Sequence, residues 1–308
     1  MDIKDRLKLR CQTAPACLGL PDSADPRILE VARTMLLERS VRQIALYTPE
    51  AATRQLAAQA NIDLEGVAWG LRWICKEELS SSERVNLAAR QLTEGHVDAV
   101  LAGNIATTAE VIRAGIKIVG ITPGVRTVSG AFLMHKPRAP HGQDSYLYAD
   151  CSVVIQPTTE QLVDIATEAV RTWSSLHPER PPVVAFLSFS TKGSAKHPAQ
   201  ATMAEAALLF KQRFPNVTSD GEIQFDAAFD AAIGQRKAPG SPVPGHANCL
   251  IFPDLNAGNI AYKITQRLGG YEAYGPVLQG LRLPMNDLSR GATLADILTS
   301  AYMTLARV

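Results

Sequence analysis

An α/β fold built on a largely parallel sheet is what this sequence predicts, and three observations point there. Short apolar runs of strand length alternate with runs of helical periodicity along the whole chain, the pattern of repeated β-α-β units. The two stretches richest in chain breakers, 136–142 and 237–245, fall between these runs. The chain has 308 residues, 46% apolar and 20% charged, which suffices for one large domain or two medium ones with an ordinary core.

The strand-like runs are 16–20, 43–47, 99–103, 127–134, 152–155, 183–189, 248–252 and 276–279. Helical patterns cover 26–38, 83–94, 108–117, 160–174, 202–213 and 258–268, with a last helix over 293–305. Asp25-Pro26 is a sound helix start, because proline is tolerated in the first turn. Residues 1–10 alternate charged with apolar side chains and read as an ordinary first helix. They lack the apolar core of a secretory signal. Lys136-Pro137-Arg138-Ala139-Pro140-His141-Gly142 reads as an exposed loop. The run 237–245 has three prolines and can be neither helix nor central strand.

Bulk properties exclude several function classes. A formal net charge of +1 gives no electrostatic case for nucleic acid or an anionic membrane as main partner. The longest apolar runs are strand-sized, far too short for a bilayer. Cys11, Cys17, Cys75, Cys151 and Cys249 are scattered, odd in number and without a Cys-x-x-Cys pair. That argues against a disulfide framework and against a zinc site, and fits a reducing, cytoplasmic setting. The six histidines are dispersed, so no histidine-driven triad is expected.

Four segments could carry chemistry. Pro284-Met285-Asn286-Asp287-Leu288-Ser289-Arg290-Gly291, followed by Asp296, gathers a hydroxyl, a guanidinium and a carboxylate after an apolar run. Ser289 and Arg290 ahead of a helix would offer donors and positive charge to an anion or a developing oxyanion. A continuous helix would put Ser289 and Asp296 on one face. Thr293 and Asp296 equally have the spacing of a helix cap and its partner.

Gly103-Asn104-Ile105-Ala106-Thr107-Thr108-Ala109-Glu110 ends a buried strand, and Thr107 with Glu110 has capping-box spacing. A helix starting there, at the carboxyl end of a strand, would let Arg113 hold a phosphate, or simply pair with Glu110. Ser190, Thr191, Lys192, Gly193 and Ser194 follow an apolar strand, and their composition suits a phosphate or pyrophosphate. A Walker loop does not fit, since its upstream glycine spacing is absent. Asp254-Leu255-Asn256-Ala257-Gly258-Asn259 reads first as a cap and a turn.

Together these segments resemble the phosphate acetyltransferases. The resemblance covers nearly the whole chain. It is densest at Ala102 through Arg113 to Gly124, at Ala149-Asp150-Cys151-Ser152, from Leu187 to Ala195, and from Leu250 through Gln279-Gly280 to Gly291. Asn104, where many members carry histidine, and Ala149-Asp150-Cys151-Ser152 are similar to the short form associated with ethanolamine utilisation.

The resemblance implies two three-layer α/β/α domains like those of isocitrate and isopropylmalate dehydrogenases, with an active site in the interdomain cleft and usually a homodimer. The first domain would comprise 1–124 and 281–308, and the second 125–280. It implies reversible acetyl transfer between acetyl phosphate and coenzyme A, both substrates, with no metal and no cofactor. It casts Ser289 and Arg290 as the catalytic pair, Asp296 as the base and Arg113 as a phosphate ligand. The loop Ser190 to Ser194 and Asn256 become substrate contacts. One departure matters: the family's Arg-Lys-x-Lys-Gly segment is missing, and Arg72, in Leu71-Arg72-Trp73-Ile74, is the candidate stand-in for its arginine.

The implied chemistry is direct. Coenzyme A's thiol is a weak nucleophile and its thiolate a strong one, so Asp296 would accept the proton within hydrogen-bond reach of the sulfur. An aspartate is a poor base for a thiol, and a neighbouring guanidinium weakens it further. Orienting the thiol is therefore its alternative role. Cys151 reads as a small buried apolar residue and not as a nucleophile. Three rivals remain on sequence alone: transfer of a propionyl or butyryl group, a metal- and nicotinamide-dependent decarboxylating dehydrogenase of the same fold, and a non-catalytic coenzyme A-binding protein. Location in the cytoplasm is expected, and association with a bacterial microcompartment stays open.

Overall fold

The computed structural model describes residues 2–137 and 143–308. Most of the predicted loop at 136–142 therefore lies outside the described residues. The chain divides into two compact units, Met1–Pro123 with Gly275–Val308, and Gly124–Tyr274.

The first unit begins with α1 (Ile3–Thr13), β1 (Cys17–Leu20), α2 (Pro26–Leu37), β2 (Gln43–Leu46) and α3 (Glu50–Gln59). A 3-10 turn (Glu65–Gly70) leads into β3 (Leu71–Trp73), followed by α4 (Ser81–Thr93), β4 (Ala99–Ala102) and α5 (Thr108–Ala114). The last runs on into a π-helical turn, Gly115–Val119.

The second unit carries β5 (Ser129–His135), β6 (Ser145–Ala149), α6 (Thr159–Leu176), β7 (Val183–Leu187), α7 (Pro198–Arg213) and β8 (Thr218–Ile223). Two short helices, α8 (Phe225–Phe229) and α9 (Ala231–Lys237), precede β9 (Cys249–Ile251), α10 (Leu255–Arg267) and β10 (Glu272–Gln279). The boundary falls within β10, whose residues from Gly275 on belong to the first unit, and β11 (Met285–Asp287) and α11 (Leu294–Leu305) follow in that unit.

The first unit's sheet has the order β11-β4-β1-β2-β3, and every neighbouring pair is parallel. A parallel sheet is covered on both faces, so its strands are continuously apolar. Both β1 (Cys-Leu-Gly-Leu) and β4 (Ala-Val-Leu-Ala) are buried along their whole length. Helix α2 meets the core with Ile28, Leu29, Val31, Ala32, Met35 and Leu36, positions that recur on one helical face. Its N-cap is Asp25, which accepts from the Arg27 N–H, and Pro26 sits in the first turn.

The second unit's sheet runs β10-β5-β6-β9-β7-β8. It is mixed: β5 and β6 are antiparallel, whereas β6–β9, β9–β7 and β7–β8 are parallel. Helix α6 opens with a complete capping box between Thr158 and Gln161, and buries Trp173 among its apolar side chains. Full burial of one such side chain stabilises by roughly 1.5–3 kcal/mol.

Several expectations need correction. The run 152–155 is not a strand. The buried carboxylate of Asp150 accepts from the N–H groups of Gly130, Ser152, Val153 and Val154 at 3.0, 2.8, 3.2 and 2.5 Å. Those donors wrap the segment around one side chain, and none is left for a ladder. The strand is Ser145–Ala149, just upstream. Strands β3, β8 and β11 and helix α3 escape the sequence pattern, the strands because three are short or polar; β8 reads Thr-Ser-Asp-Gly-Glu-Ile at a sheet edge. The return to the first unit falls at Gly275 and not at residue 281. Leu278 is already tied to that unit, its N–H donating to Asn286 Oδ1 and its carbonyl accepting from Arg307. Ile121 and Leu281 form a bridge nearby.

In the first unit the loops after β1, β4 and β11 all lie at the carboxyl edge of one parallel sheet, where open α/β sheets bind ligands. Asp22, fully buried after β1, shapes the loop after β4. Its carboxylate accepts from the N–H groups of Gly103, Ile105 and Ala106 at 2.8, 3.0 and 3.4 Å. Asp22→Ala strands all three donors, each costing about 1–3 kcal/mol when buried unpaired. The expected loss is at least about 3 kcal/mol in urea unfolding; a loss below about 1 kcal/mol would mean the loop holds itself.

Candidate active site

Strand β11 is anchored before the candidate residues begin. Asn286, 1% exposed, donates to Thr304 Oγ1 of α11 at 2.8 Å and accepts the Leu278 N–H at 2.9 Å. Asp287 and Leu288 are buried, and Ser289 and Arg290 then emerge exposed. They form a turn closed by the Ala292 N–H to the Ser289 carbonyl at 2.9 Å. Helix α11 starts only at Leu294. Ser289 therefore precedes the helix, and the expectation that it shares a helical face with Asp296 is wrong.

Asp296 forms the capping box of α11. Its Oδ2 accepts from the Thr293 N–H and hydroxyl at 2.9 and 2.7 Å, and its own N–H donates to Thr293 Oγ1 at 3.2 Å. The cap fixes the carboxylate's direction and engages Oδ2, not Oδ1. Asp296 is half-buried, so structure and chemistry are compatible at this side chain.

Arg113 stands exposed on α5. The expected capping box of that helix is present: Glu110 Oε2 accepts from the Thr107 N–H at 2.7 Å and its hydroxyl at 2.9 Å. Those bonds hold the Glu110 carboxyl below the usual range, assisted by the charges of Arg113 and Arg290. One carboxylate thus feels both guanidinium groups, which brings Arg113 and Arg290 into the same neighbourhood.

Behind the turn lies a carboxylate that sequence reasoning passed over. Asp287 Oδ2 accepts from the Thr108 hydroxyl at 2.8 Å, and its buried Oδ1 has no partner among the described residues. Burial pushes its carboxyl up to about 6, and the nearby Asp22 adds to the rise. Gly103 makes room for it. A Cβ at Gly103 would lie 2.2 Å from Asp287 Oδ1 and 2.5 Å from the Leu288 nitrogen, and its φ of +108° suits glycine alone. Asn104, 5% exposed, donates to Asp25 at 2.8 Å. Its Oδ1 is buried and unpartnered among the described residues.

Arg72 does not join this group. Its guanidinium donates to Gln43 Oε1 and Gln91 Oε1, both at 3.4 Å, and to the His96 carbonyl at 3.2 Å. Gln43 opens β2 and His96 precedes β4, so these partners lie at the amino edge of the sheet, away from the turn after β11. The stand-in expected of Arg72 has no support in this arrangement.

The second unit holds the other candidates. The loop from Ser190 to Ser194 does follow β7, but its donors are already used. Glu222 Oε1, delivered by β8, accepts from the Ser190 hydroxyl at 2.9 Å and the Gly193 N–H at 2.7 Å. Burial raises the Glu222 carboxyl, yet these donors and Gln200 outweigh it and leave it below the usual range. Thr191 and Gln224 bond each other twice, at 3.0 and 3.3 Å. The Thr191 N–H donates to Ser194 Oγ at 3.1 Å, and Lys192 pairs with Asp220. The anion in this cradle is an internal carboxylate, at the place where a phosphate was expected. Asn256 is exposed on the first turn of α10, while Asp254 is the cap, accepting from the Ala257 N–H at 2.9 Å. Burial drives the Cys151 thiol well above its ordinary range, which disqualifies it as a nucleophile. Among the described residues no group of three or more His, Cys, Asp or Glu is placed to hold a metal ion.

The fold defines a class first. A 4-hydroxythreonine-4-phosphate dehydrogenase from Klebsiella pneumoniae aligns over 96% of this chain and 99% of its own, with TM-score 0.62 at 12% identity, so the two share a two-domain dehydrogenase-like α/β fold. Closer likeness narrows the class. The EutD phosphotransacetylase from Staphylococcus aureus is 31% identical with TM-score 0.87, covering 99% of this chain and 97% of its own. The phosphate acetyltransferase of Paracoccus denitrificans is 39% identical over 97% of both chains, and that of Treponema pallidum 35% identical over 100% and 99%. Residues 74–305 match the model of the phosphate acetyl/butaryl transferase family, and the chain belongs to that family.

Asp287 sets a pH dependence. Its folded-state carboxyl titrates near 6 against 3.8 in the unfolded chain, so burial costs nothing below about pH 4 and most above about pH 6. Asp287→Asn should gain stability over the parent as pH rises from 4.5 to 7.5, by up to about 3 kcal/mol. Parallel denaturation curves at the two pH values check it; a constant difference would refute the assignment.

Proposed function

We propose that this protein transfers an acetyl group reversibly between acetyl phosphate and coenzyme A. The observation that carries the reading is the exposed Ser289 and Arg290 turn, at the carboxyl edge of a parallel sheet, with Arg113 in the same neighbourhood, in a chain of this family. Arg113 holds the phosphate and Arg290 orients the acyl phosphate, two fixed cations for one anion. Oδ1 of Asp296, the oxygen outside the cap, takes the thiol proton. The thiolate attacks the acetyl carbon, and Ser289 donates to the oxyanion that forms. The carbon–oxygen bond to phosphate then breaks, and phosphate leaves with the electron pair. Neither metal nor cofactor takes part in this scheme, and the working form is a cytoplasmic homodimer. No helix among the described residues is long and apolar enough to cross a membrane.

The direct test is thioester formation from coenzyme A and acetyl, propionyl or butyryl phosphate, without added metal. Acetyl phosphate should be the best substrate. A preference for butyryl phosphate would reassign the acyl group, and no turnover with any of the three would sink the reading.

Two substitutions separate base from cap at Asp296. Asp296→Asn should lower kcat by about 10²–10⁴, the usual worth of a positioned base. Thr293→Ala removes the other half of the cap and should cost roughly 1 kcal/mol of stability, with kcat within a few fold of the parent. Near-parental kcat in the Asp296→Asn enzyme would exclude proton abstraction by that residue.

A further inference from the structure

Arg27 stands where a cation is least expected, in the first turn of α2, against the helix dipole. Its contacts give the reason. Nε and Nη2 grip both oxygens of Asp25, with Nε to Oδ1 at 3.1 Å and Nη2 to Oδ2 at 2.7 Å. The remaining nitrogen, Nη1, donates to two backbone carbonyls, Arg290 at 3.2 Å and Ala292 at 2.7 Å. Asp25 is held in turn by the Arg27 N–H and by Asn104 Nδ2, both at 2.8 Å. One guanidinium therefore links the loops after β1, β4 and β11.

The turn needs such a hold. It contains Gly291, and its own closure rests on one bond of 2.9 Å and a weak one of 3.4 Å, from the Gly291 N–H to Ser289 Oγ. Two carbonyls that straddle Gly291 are the points at which an outside donor fixes the backbone of Ser289 and Arg290. Lysine could not repeat this, because only a planar fork can face a carboxylate and still present a further N–H to the turn.

We propose that Arg27 is a positioning residue for the transfer reaction: clamped by Asp25, it holds the turn of Ser289 and Arg290 in its working geometry without touching substrate. The proposal rests on the catalytic reading of that turn. A misplacement of about 1 Å in a reacting group can cost about 100-fold, so Arg27→Gln should lower kcat by about tenfold or more while coenzyme A binding, by calorimetry, stays within about twofold. Arg27→Lys should fall between the two.

The decisive readout is coupling. If Arg27 acts through the turn, Arg27→Gln should cost almost nothing further in an Arg290→Ala background, since groups that work as a unit are non-additive. Full additivity would overturn the proposal, as would a rise in the dissociation constant of coenzyme A or acyl phosphate with kcat unchanged, which would mark a substrate contact. Hydrogen exchange decides the matter without activity: the amides of 288–293 should exchange faster in Arg27→Gln and no slower in Arg27→Lys, with β1 and β4 unaffected. Unchanged exchange in that peptide refutes the clamp. Absence of turnover in the parent enzyme would refute the catalytic reading, and the exchange result would still judge the clamp.

Discussion

Asp22 has no exposure to solvent, and its charge is balanced by three backbone N–H groups. A loop leaving a buried parallel strand faces a fixed problem: its backbone donors point inward with no ladder to join. A buried carboxylate solves it at modest cost, because several N–H groups together replace the lost hydration. The same solution recurs in the second unit, where Asp150 gathers four N–H groups and Glu222 gathers the Ser190 hydroxyl and Gly193 N–H. The loops that carry Asn104 and Ser190 take their shape from side chains distant in sequence, and the loop that carries Ser152 takes its shape from the nearby Asp150.

Asp296 is the partner in a capping box: it satisfies the helix start, and that same bonding orders one carboxylate oxygen and leaves the other outside the cap. A side chain held by its own helix loses little freedom when a ligand arrives, which is the preorganisation an active site needs. The neighbouring turn works by the opposite logic. Ser289 and Arg290 are exposed and have little local structure, so their geometry is imposed by Arg27 from outside.

The legible part of the chain was its local grammar. The capping boxes at Thr107 and Thr293, the proline start of α2 and the buried runs of β1, β4 and β7 announce themselves over a few residues, since their causes act over a few residues. The family motifs also singled out Ser289 and Arg290, which lie in the turn after β11, and Arg113, which lies on α5. What stayed hidden turns on which groups single side chains bind, near or far along the chain. The 152–155 run is apolar enough for a strand, but Asp150 claims its N–H groups. The loop from Ser190 to Ser194 has the composition of an anion cradle, and the anion comes from β8, itself too polar to read as a strand. Asp25-Pro26-Arg27 reads as a helix start and nothing more, because the carbonyls that Arg27 holds lie 263 and 265 residues away.

The second unit is one uninterrupted stretch, while the first is split around it, with β11 and α11 supplied by the segment that follows. Chain order thus dictates an order of assembly. During synthesis the second unit has its full set of strands before the first has its edge strand β11, and domains tend to fold as soon as they are whole. The first unit must wait with β4 lacking its neighbour and Asp287 not yet in place beside Gly103. The nascent chain can accordingly complete its inserted half while the half bearing Ser289 and Arg290 is still open, and the turn that carries the pair follows the last strand of that sheet to be made.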